Sequence, residues 1–215
     1  MTCVWAIVLA GGGGNRFGGL KQFAELDGQT LLERVVQLAG KCGDGVVVVL
    51  PVAQADDQRY QQADRIAIGG ATRAESVRSG LAALPPEAEI VVITDAAHPL
   101  ASIRLYEQVI AAVAGGADGA LPGLPLTDAI KRLAPDGTVG ATTAAGGQVS
   151  AQMPMAFRLS ALRSAHERIT DAVEDSAMVT ANGGQVVIVP GEPTNVHVTT
   201  PAELAIAVAL LPLVP

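Results

Sequence analysis

Short apolar segments alternate with helix-like segments along the first part of the chain. Residues 4–9 (VWAIVL), 45–50 (GVVVVL) and 89–94 (EIVVIT) are runs typical of strands buried on both faces. Residues 65–68 form a shorter run of this kind, and another strand begins at residues 119–121. Because helical patterns lie between these runs, the sequence predicts repeated βαβ units. We therefore expect an α/β fold with a mixed, mostly parallel sheet flanked by helices.

The predicted helices have clear starting points. Thr30, Thr72 and Thr200 each precede an apolar pattern and have a glutamate three residues later, which is the signature of a capping box. Pro201 directly follows Thr200 and suits the first turn of a helix. Further helical patterns cover residues 102–113, 160–168 and 175–181, and further strand patterns cover residues 186–189 and 196–198. His166 lies in one of these helical patterns, and we expect it to face solvent.

The alternation of strands and helices stops between residues 127 and 147. There the sequence consists of short strand-like pieces with many small residues. We expect this segment to form a protruding β-arm, at about residues 127–152. A chain of 215 residues, of which 49% are hydrophobic, is long enough for one sizeable core. The simplest interpretation is a single domain covering residues 1–215.

Charge and cysteine content limit the classes of partner. The formal net charge of -7, without a cluster of lysines and arginines, argues against a nucleic-acid partner. No apolar run approaches the ~20 residues that a membrane-spanning helix needs. Cys3 and Cys42 lack metal-binding spacing and are expected to be reduced thiols. We therefore expect a soluble, cytoplasmic protein that acts on small molecules.

A glycine-rich turn follows the first predicted strand, in the segment LAGGGGNRFGGLKQF at residues 9–23. Glycines allow several backbone N–H groups to converge on phosphate oxygens, and Arg16 and Lys21 would add positive charge. The segment matches neither a P-loop, since Leu20 follows Gly19 where lysine is required, nor a dinucleotide-binding fingerprint. The alternative is a simple tight turn whose neighbouring cations are solvated.

Five segments, in order, resemble one enzyme family. They are AIVLAGGGGNRFGGLKQFAELDGQTLLERV at residues 6–35, GGATRAESVRSGL at 69–81, ITDAAHP at 93–99, PLTDAIKR at 125–132 and VHVTTPAELAIA at 196–207. Together they cover nearly the whole chain. The chain resembles the 2-C-methyl-D-erythritol 4-phosphate cytidylyltransferases and, more broadly, the sugar-nucleotide-type nucleotidyltransferases.

This resemblance implies transfer of CMP from CTP to a small phosphorylated polyol, with release of pyrophosphate. The expected acceptor is 2-C-methyl-D-erythritol 4-phosphate, an intermediate of isoprenoid precursor synthesis. The residues that the resemblance assigns to CTP are Ala10, Gly11, Gly12, Gly14, Gly69, Gly70 and Ser76. It assigns catalytic roles to Arg16, Lys21 and Asp95, with Asp95 also holding Mg²⁺. On its own, an aspartate after a strand could equally be a helix cap.

The acceptor side departs from the family pattern. His98 stands where the family usually has arginine, His197 where it has lysine, and Met153 where it has threonine. In the arm, the family's Val-Asp-Arg corresponds roughly to residues 143–145, which end in Ala145. Because histidine has a reference pKa near ~6.5, capture of the acceptor phosphate should be weaker or pH-dependent. Alternatively, His98 and His197 are packing residues.

Several interpretations of the function stay open at this point. The acceptor could be another phosphate, a phosphonate or another polyol phosphate, as the altered acceptor positions suggest. The chain could instead be a molybdenum-cofactor-type nucleotidyltransferase, or a CTP-binding protein without catalytic activity. The resemblance also implies a homodimer in which the arm of each subunit reaches the active site of its partner.

Overall fold

The computed structural model describes residues 2–12, 17–55, 60, 63–170, 172 and 174–214. The strands in these residues are Val4–Leu9 (β1), Glu25–Leu26 (β2), Gln29–Thr30 (β3), Gly45–Leu50 (β4), Arg65–Ile68 (β5), Ile90–Asp95 (β6), Gly119–Pro125 (β7), Ile130–Leu133 (β8), Val139–Thr143 (β9), Val149–Ala151 (β10), Met155–Arg158 (β11) and Val186–Pro190 (β12). The α-helices are Leu31–Gly40 (α1), Arg73–Ala82 (α2), Ile103–Ala114 (α3), Leu159–Arg168 (α4), Asp175–Ala181 (α5) and Pro201–Leu210 (α6).

The main sheet has the strand order β10-β7-β11-β6-β1-β4-β5, and β12 pairs with β7. The strand β1 lies at its centre and pairs in parallel with both β4 and β6. β5 and β12 also pair in parallel with their neighbours, whereas β10 and β11 are antiparallel. The predicted fold class, a mixed and mostly parallel sheet flanked by helices, is therefore confirmed.

Alternate side chains of β1 belong to two hydrophobic clusters, one on each face of the sheet. Val4, Ala6 and Val8 pack in the cluster that includes buried residues of α1 and α3. Trp5, Ile7 and Leu9 pack in the cluster that includes buried residues of α2, α4 and α5. Burial on both faces explains why this strand has an uninterrupted apolar sequence.

The capping boxes predicted at Thr30, Thr72 and Thr200 are present, each with both of its hydrogen bonds. The predicted strand at residues 196–198 is wrong, because the N–H of Val198 donates a single bond to the carbonyl of Ala97 and forms no ladder. The strand β11 was not predicted. Its apolar run is short, and only the tertiary fold shows that it lies between β6 and β7.

The predicted arm is present as the antiparallel hairpin of β8 and β9, followed by β10 on the edge of the main sheet. All residues of β8, β9 and β10 are exposed. Leu133 and Val139 of the hairpin are 66% and 61% exposed. The single-domain organisation of residues 1–215 stays a prediction.

Gly80 allows α2 to approach the sheet closely, and we predict that Gly80→Ala destabilises the protein. A Cβ at this position would lie 2.6 Å from Cγ2 of Ile7, a fully buried side chain. Overpacking of this kind costs about 1–3 kcal/mol, which exceeds the ~1 kcal/mol that alanine contributes over glycine in a helix. Denaturant unfolding should show a lower free energy of unfolding for Gly80→Ala.

The matched control for this prediction is Gly40→Ala in α1. There the new Cβ would lie 3.7 Å from Cγ2 of Val46, an ordinary contact, so the free energy of unfolding should not fall. Equal effects of the two substitutions would contradict the close packing of α2 on β1.

Candidate active site

A cleft of about 340 Å³ lies at the carboxyl ends of β1 and β6, beside the start of α2. Parallel strands of an open α/β sheet commonly bind ligands at this edge. The predicted site residues that line the cleft are Ala10, Gly11, Gly12, Lys21, Gly70, Ser76 and Asp95. Gly14 and Arg16 lie outside the described residues.

The described part of the glycine turn is held by Gln22, a buried residue for which the sequence predicted no role. Its side-chain Nε2 donates to the carbonyl of Ala10 at 2.8 Å and to the carbonyl of Gly12 at 3.2 Å. The N–H of Ala10 in turn donates to the carbonyl of Val49 in β4. Gln22 therefore fixes the turn and satisfies two carbonyls that would otherwise repel an anion in the cleft.

A second glycine segment faces this turn. The N–H of Gly70 donates to Oγ of Ser76 at 3.2 Å, and this hydroxyl donates to the carbonyl of Thr72 at 3.0 Å. A Cβ on Gly11 would lie 3.7 Å from Oγ of Ser76 and 4.0 Å from Cα of Gly69. A Cβ on Gly70 would lie only 2.3 Å from Cβ of Glu75, so a side chain cannot be added there without moving the start of α2. The two segments are therefore close neighbours, and each forms one wall of the same cleft.

Asp95 is the last residue of β6 and lines the same cleft. Its Oδ1 accepts hydrogen bonds from the N–H of Ala97 at 2.9 Å and from Nδ1 of His98 at 3.0 Å. Burial raises the pKa of this carboxyl, but the hydrogen bond and charge of His98, with the charges of His197 and Lys21, outweigh it. The net effect lowers the pKa, so Asp95 is ionised at neutral pH and its negative charge faces the cleft.

His98 and His197 lie beside Asp95, although they are 99 residues apart in sequence. The two rings are stacked, with centroids 4.7 Å apart and planes at 6°. His98 is buried and His197 is exposed. Although part of the side chain is exposed, desolvation of the covered part of its ring lowers the pKa of His197, as do the charges of His98 and Lys21, and these effects outweigh the opposing charges of Asp95 and Glu203. His197 is therefore mainly neutral at neutral pH.

Lys21 connects the two sides of the site. Its Nζ donates to the carbonyl of Val198 at 3.1 Å, one residue after His197, while its side chain lines the cleft. The side chain of Met153 packs in the hydrophobic cluster on the α2 side of the sheet and does not line the cleft. Its carbonyl accepts from Nδ2 of Asn195 at 2.7 Å. Ala145 lies in the arm and is partly exposed.

Arg73, Asp175 and His166 form a polar network that no sequence motif predicted. Arg73 lines the cleft, and its Nη1 donates to Oδ2 of Asp175. Oδ1 of the fully buried Asp175 is 3.0 Å from Nε2 of His166. Burial raises the pKa of Asp175, but the bond to His166 and the charge of Arg73 outweigh it, and the pKa is lowered.

The expectation that His166 faces solvent is therefore wrong. His166 is buried because α4 packs on α5, which brings the carboxylate of Asp175 to its ring. The acidic partner, Asp175, is the first residue of α5 and follows His166 by 9 residues in the sequence. The helical periodicity around His166 therefore did not indicate this contact.

Among the described residues, one group could hold a metal ion. Ligand-capable atoms of Asp95, His98 and His197 all lie within 4.8 Å of one another. No helix among the described residues is both long enough and apolar enough to cross a membrane.

Similarity to known proteins covers almost the whole chain. The family "IspD: 2-C-methyl-D-erythritol 4-phosphate cytidylyltransferase" matches residues 4–212. A protein of this name from Streptomyces avermitilis is 35% identical over 226 residues, which cover 96% of the chain and 90% of the relative. A "Bifunctional enzyme IspD/IspF" from Anaeromyxobacter sp. is 40% identical over 223 residues, covering 97% of the chain and 57% of the relative. The chain thus spans about half the length of the bifunctional relatives.

A solved structure is also similar to almost the whole chain. The crystal structure of 2-C-methyl-D-erythritol 4-phosphate cytidylyltransferase from Thermus thermophilus is 28% identical in sequence and superimposes with a TM-score of 0.82. The match covers 95% of the chain and 96% of that protein. The described fold and its arm therefore follow an architecture already seen in solved structures.

Gln22→Ala should weaken nucleotide binding without unfolding the protein. The substitution removes two hydrogen bonds to the glycine turn, each contributing about 1 kcal/mol, so we expect the Kd for CTP to rise at least about tenfold. Isothermal titration calorimetry measures this directly. Gln37→Ala, at an exposed position of α1, is the control and should bind CTP like the wild type. An unchanged Kd for Gln22→Ala would show that the turn does not hold the nucleotide.

Asp175→Asn should destabilise the protein at neutral pH by about 3 kcal/mol, because it leaves the partly buried guanidinium of Arg73 without its anion. Since the folded pKa of Asp175 is lowered, its contribution to stability is complete above the ordinary aspartate pKa of ~3.9 and disappears as pH falls through the folded value. Urea unfolding from pH 7 to acid should therefore show a smaller loss of stability in Asp175→Asn than in the wild type. Asp128→Asn, at an exposed position of the arm, is the control and should follow the wild-type pH profile. Parallel pH profiles for wild type and Asp175→Asn would contradict the assignment.

Proposed function

Because the chain belongs to the 2-C-methyl-D-erythritol 4-phosphate cytidylyltransferase family, we propose that it transfers CMP from CTP to 2-C-methyl-D-erythritol 4-phosphate and releases pyrophosphate, a step of isoprenoid precursor synthesis. The observation that carries this proposal is one cleft that is lined by both glycine segments together with Lys21 and Asp95. A triphosphate needs converging amides and cations, and an acceptor phosphate must reach the same place.

The two walls of the cleft divide the nucleotide between them. Gly11, Gly12 and Gly14 would bind the phosphates through backbone N–H groups. Ala10, whose own N–H donates to the carbonyl of Val49, would form the start of this turn. Gly69, Gly70 and Ser76 would contact the cytosine and ribose. The bond from Gly70 to Ser76 fixes this second wall before CTP arrives, so little ordering is needed on binding.

In the transfer step, an oxygen of the acceptor phosphate forms a bond to the α-phosphorus of CTP. The bond from this phosphorus to the bridging oxygen of the β-phosphate breaks, and pyrophosphate leaves with the electron pair. Negative charge on the transferred group and on the leaving pyrophosphate would be stabilised by Lys21 and Arg16. Two observations support this role for Lys21: it lines the cleft, and its Nζ is held by the carbonyl of Val198.

A divalent cation is part of this proposal. Mg²⁺ usually takes one or two carboxylates together with substrate phosphate oxygens and water, and Asp95 supplies one ionised carboxylate at the cleft. The donor set therefore fits Mg²⁺ through this single oxygen ligand. When bound, Mg²⁺ would neutralise part of the triphosphate charge.

The acceptor would lie on the side of His98 and His197, which adjoin Asp95. Met153 would act there through its carbonyl, which holds Asn195 two residues before His197. Since two imidazoles provide less permanent charge than an arginine and a lysine, this side of the site also supports a second candidate, cytidylyl transfer to another phosphate or phosphonate.

We also propose a cytoplasmic homodimer. The cysteines of the chain, Cys3 and Cys42, are free thiols, as expected in a reducing compartment. The exposed apolar side chains of Leu133 and Val139 in the arm give a reason for contact with a second subunit.

Lys21→Ala tests the proposed chemistry. With CTP, Mg²⁺ and 2-C-methyl-D-erythritol 4-phosphate, coupled detection of pyrophosphate should show a fall in kcat of roughly 10²–10³, the usual effect of losing one charge-stabilising group. Ribitol phosphate and a simple phosphonate, assayed in parallel, distinguish the candidate acceptors. The matched control is Lys41→Ala, at an exposed position after α1, which should retain full turnover. If Lys21→Ala remains folded and as fast as the control, the role given to Lys21 is wrong.

A further inference from the structure

Two imidazoles and a carboxylate from two distant parts of the chain meet beside the cleft, which the carboxylate of Asp95 lines. Ligand-capable atoms of Asp95, His98 and His197 lie within 4.8 Å of one another. Resting on the proposed cytidylyl transfer, we propose that these three side chains can bind one divalent transition-metal ion, of the Zn²⁺ or Co²⁺ class, in place of the Mg²⁺ proposed at Asp95. The remaining position of this ion takes an oxygen of the acceptor's anionic group.

The donor set selects the class of metal. Mg²⁺ prefers oxygen ligands and does not need imidazole. Two imidazoles with one carboxylate are instead the set found in zinc hydrolases and in iron sites with open positions. Three protein ligands leave at least one coordination position for a substrate oxygen, and Asp95 lines the cleft where that substrate would lie.

The backbone holds the three ligands together before a metal arrives. The N–H of Val198 donates to the carbonyl of Ala97 at 2.8 Å. This bond makes neighbours of His197, which precedes Val198, and His98, which follows Ala97. The N–H of Ala97 also donates to Oδ1 of Asp95 at 2.9 Å. Such bonds to a ligating carboxylate orient it, as outer-shell contacts do in known metal sites.

One rearrangement is required. The two imidazole planes are nearly parallel, at 6°, and the in-plane lone pairs of parallel rings do not point at a common ion. His98 is buried and bonded to Asp95, whereas His197 is exposed. The ring of His197 therefore turns on metal binding, and the stack opens.

Metal binding without nucleotide or acceptor provides the test. The other soft ligands are removed first in the double variant Cys3→Ser, Cys42→Ser, because free thiols also bind Zn²⁺. ZnCl₂ titrated into this protein by calorimetry should bind with a stoichiometry of one ion per chain. His98→Gln and His197→Gln, made in the same background, should each weaken this binding at least about tenfold.

Co²⁺ gives an independent readout of the ligands. Its visible absorption should appear in the double variant with CoCl₂ and be lost in His197→Gln, whose exposed position makes misfolding an unsuitable explanation for the loss. Asp136→Asn, in the exposed arm, is the control and should bind both ions like its parent.

The outcomes separate this proposal from the function on which it rests. The metal site is wrong if Zn²⁺ does not bind, or if it binds both histidine variants as strongly as the control. Either result overturns the metal site even if the protein shows cytidylyl transfer. Absence of pyrophosphate release with Mg²⁺ and every acceptor overturns cytidylyl transfer, even if one Zn²⁺ binds as described.

Discussion

Leu9, at the end of β1, lies opposite Val49 of β4 and Asp95 of β6, and this parallel register determines where every part of the site can be. Because the three strands end at one level, the glycine turn after β1 and the carboxylate of Asp95 are placed side by side. β5 ends beside β4 and delivers Gly69 to the same edge. A shift of register would move Asp95 away from the turn and reverse the faces of alternate side chains, so the hydrophobic packing of β1 also protects the geometry of the cleft.

Short polar contacts then convert this edge of the sheet into a binding site. Gln22 fixes one wall, and the bond between Gly70 and Ser76 fixes the other. The segment around Val198 links the two parts of the site, because its backbone N–H donates to the carbonyl of Ala97 and its carbonyl accepts from Nζ of Lys21. These contacts place the chemistry on elements that are already ordered, which reduces the entropy lost on binding.

Local sequence patterns were enough to predict several strands and the starts of three helices. Continuous apolar runs predicted β1 and β4, and glutamates three residues after Thr30, Thr72 and Thr200 predicted the helix starts. Contacts between distant residues had no comparable local signal. Gln22 looks like any polar residue near a turn, and the pairing of His166 with Asp175 depends on how two helices pack. The stacking of His98 on His197 likewise follows from the fold, because the sequence around one histidine gives no sign that the other lies beside it.

We propose that the two glycine segments form one pocket for CTP, and a crystal structure of the protein with CTP and Mg²⁺ would test this. We expect the triphosphate against the N–H groups of Gly11 and Gly12 and the ammonium of Lys21, with the cytosine beside Gly69, Gly70 and Ser76. A nucleotide bound at another place, with this cleft empty, would contradict it.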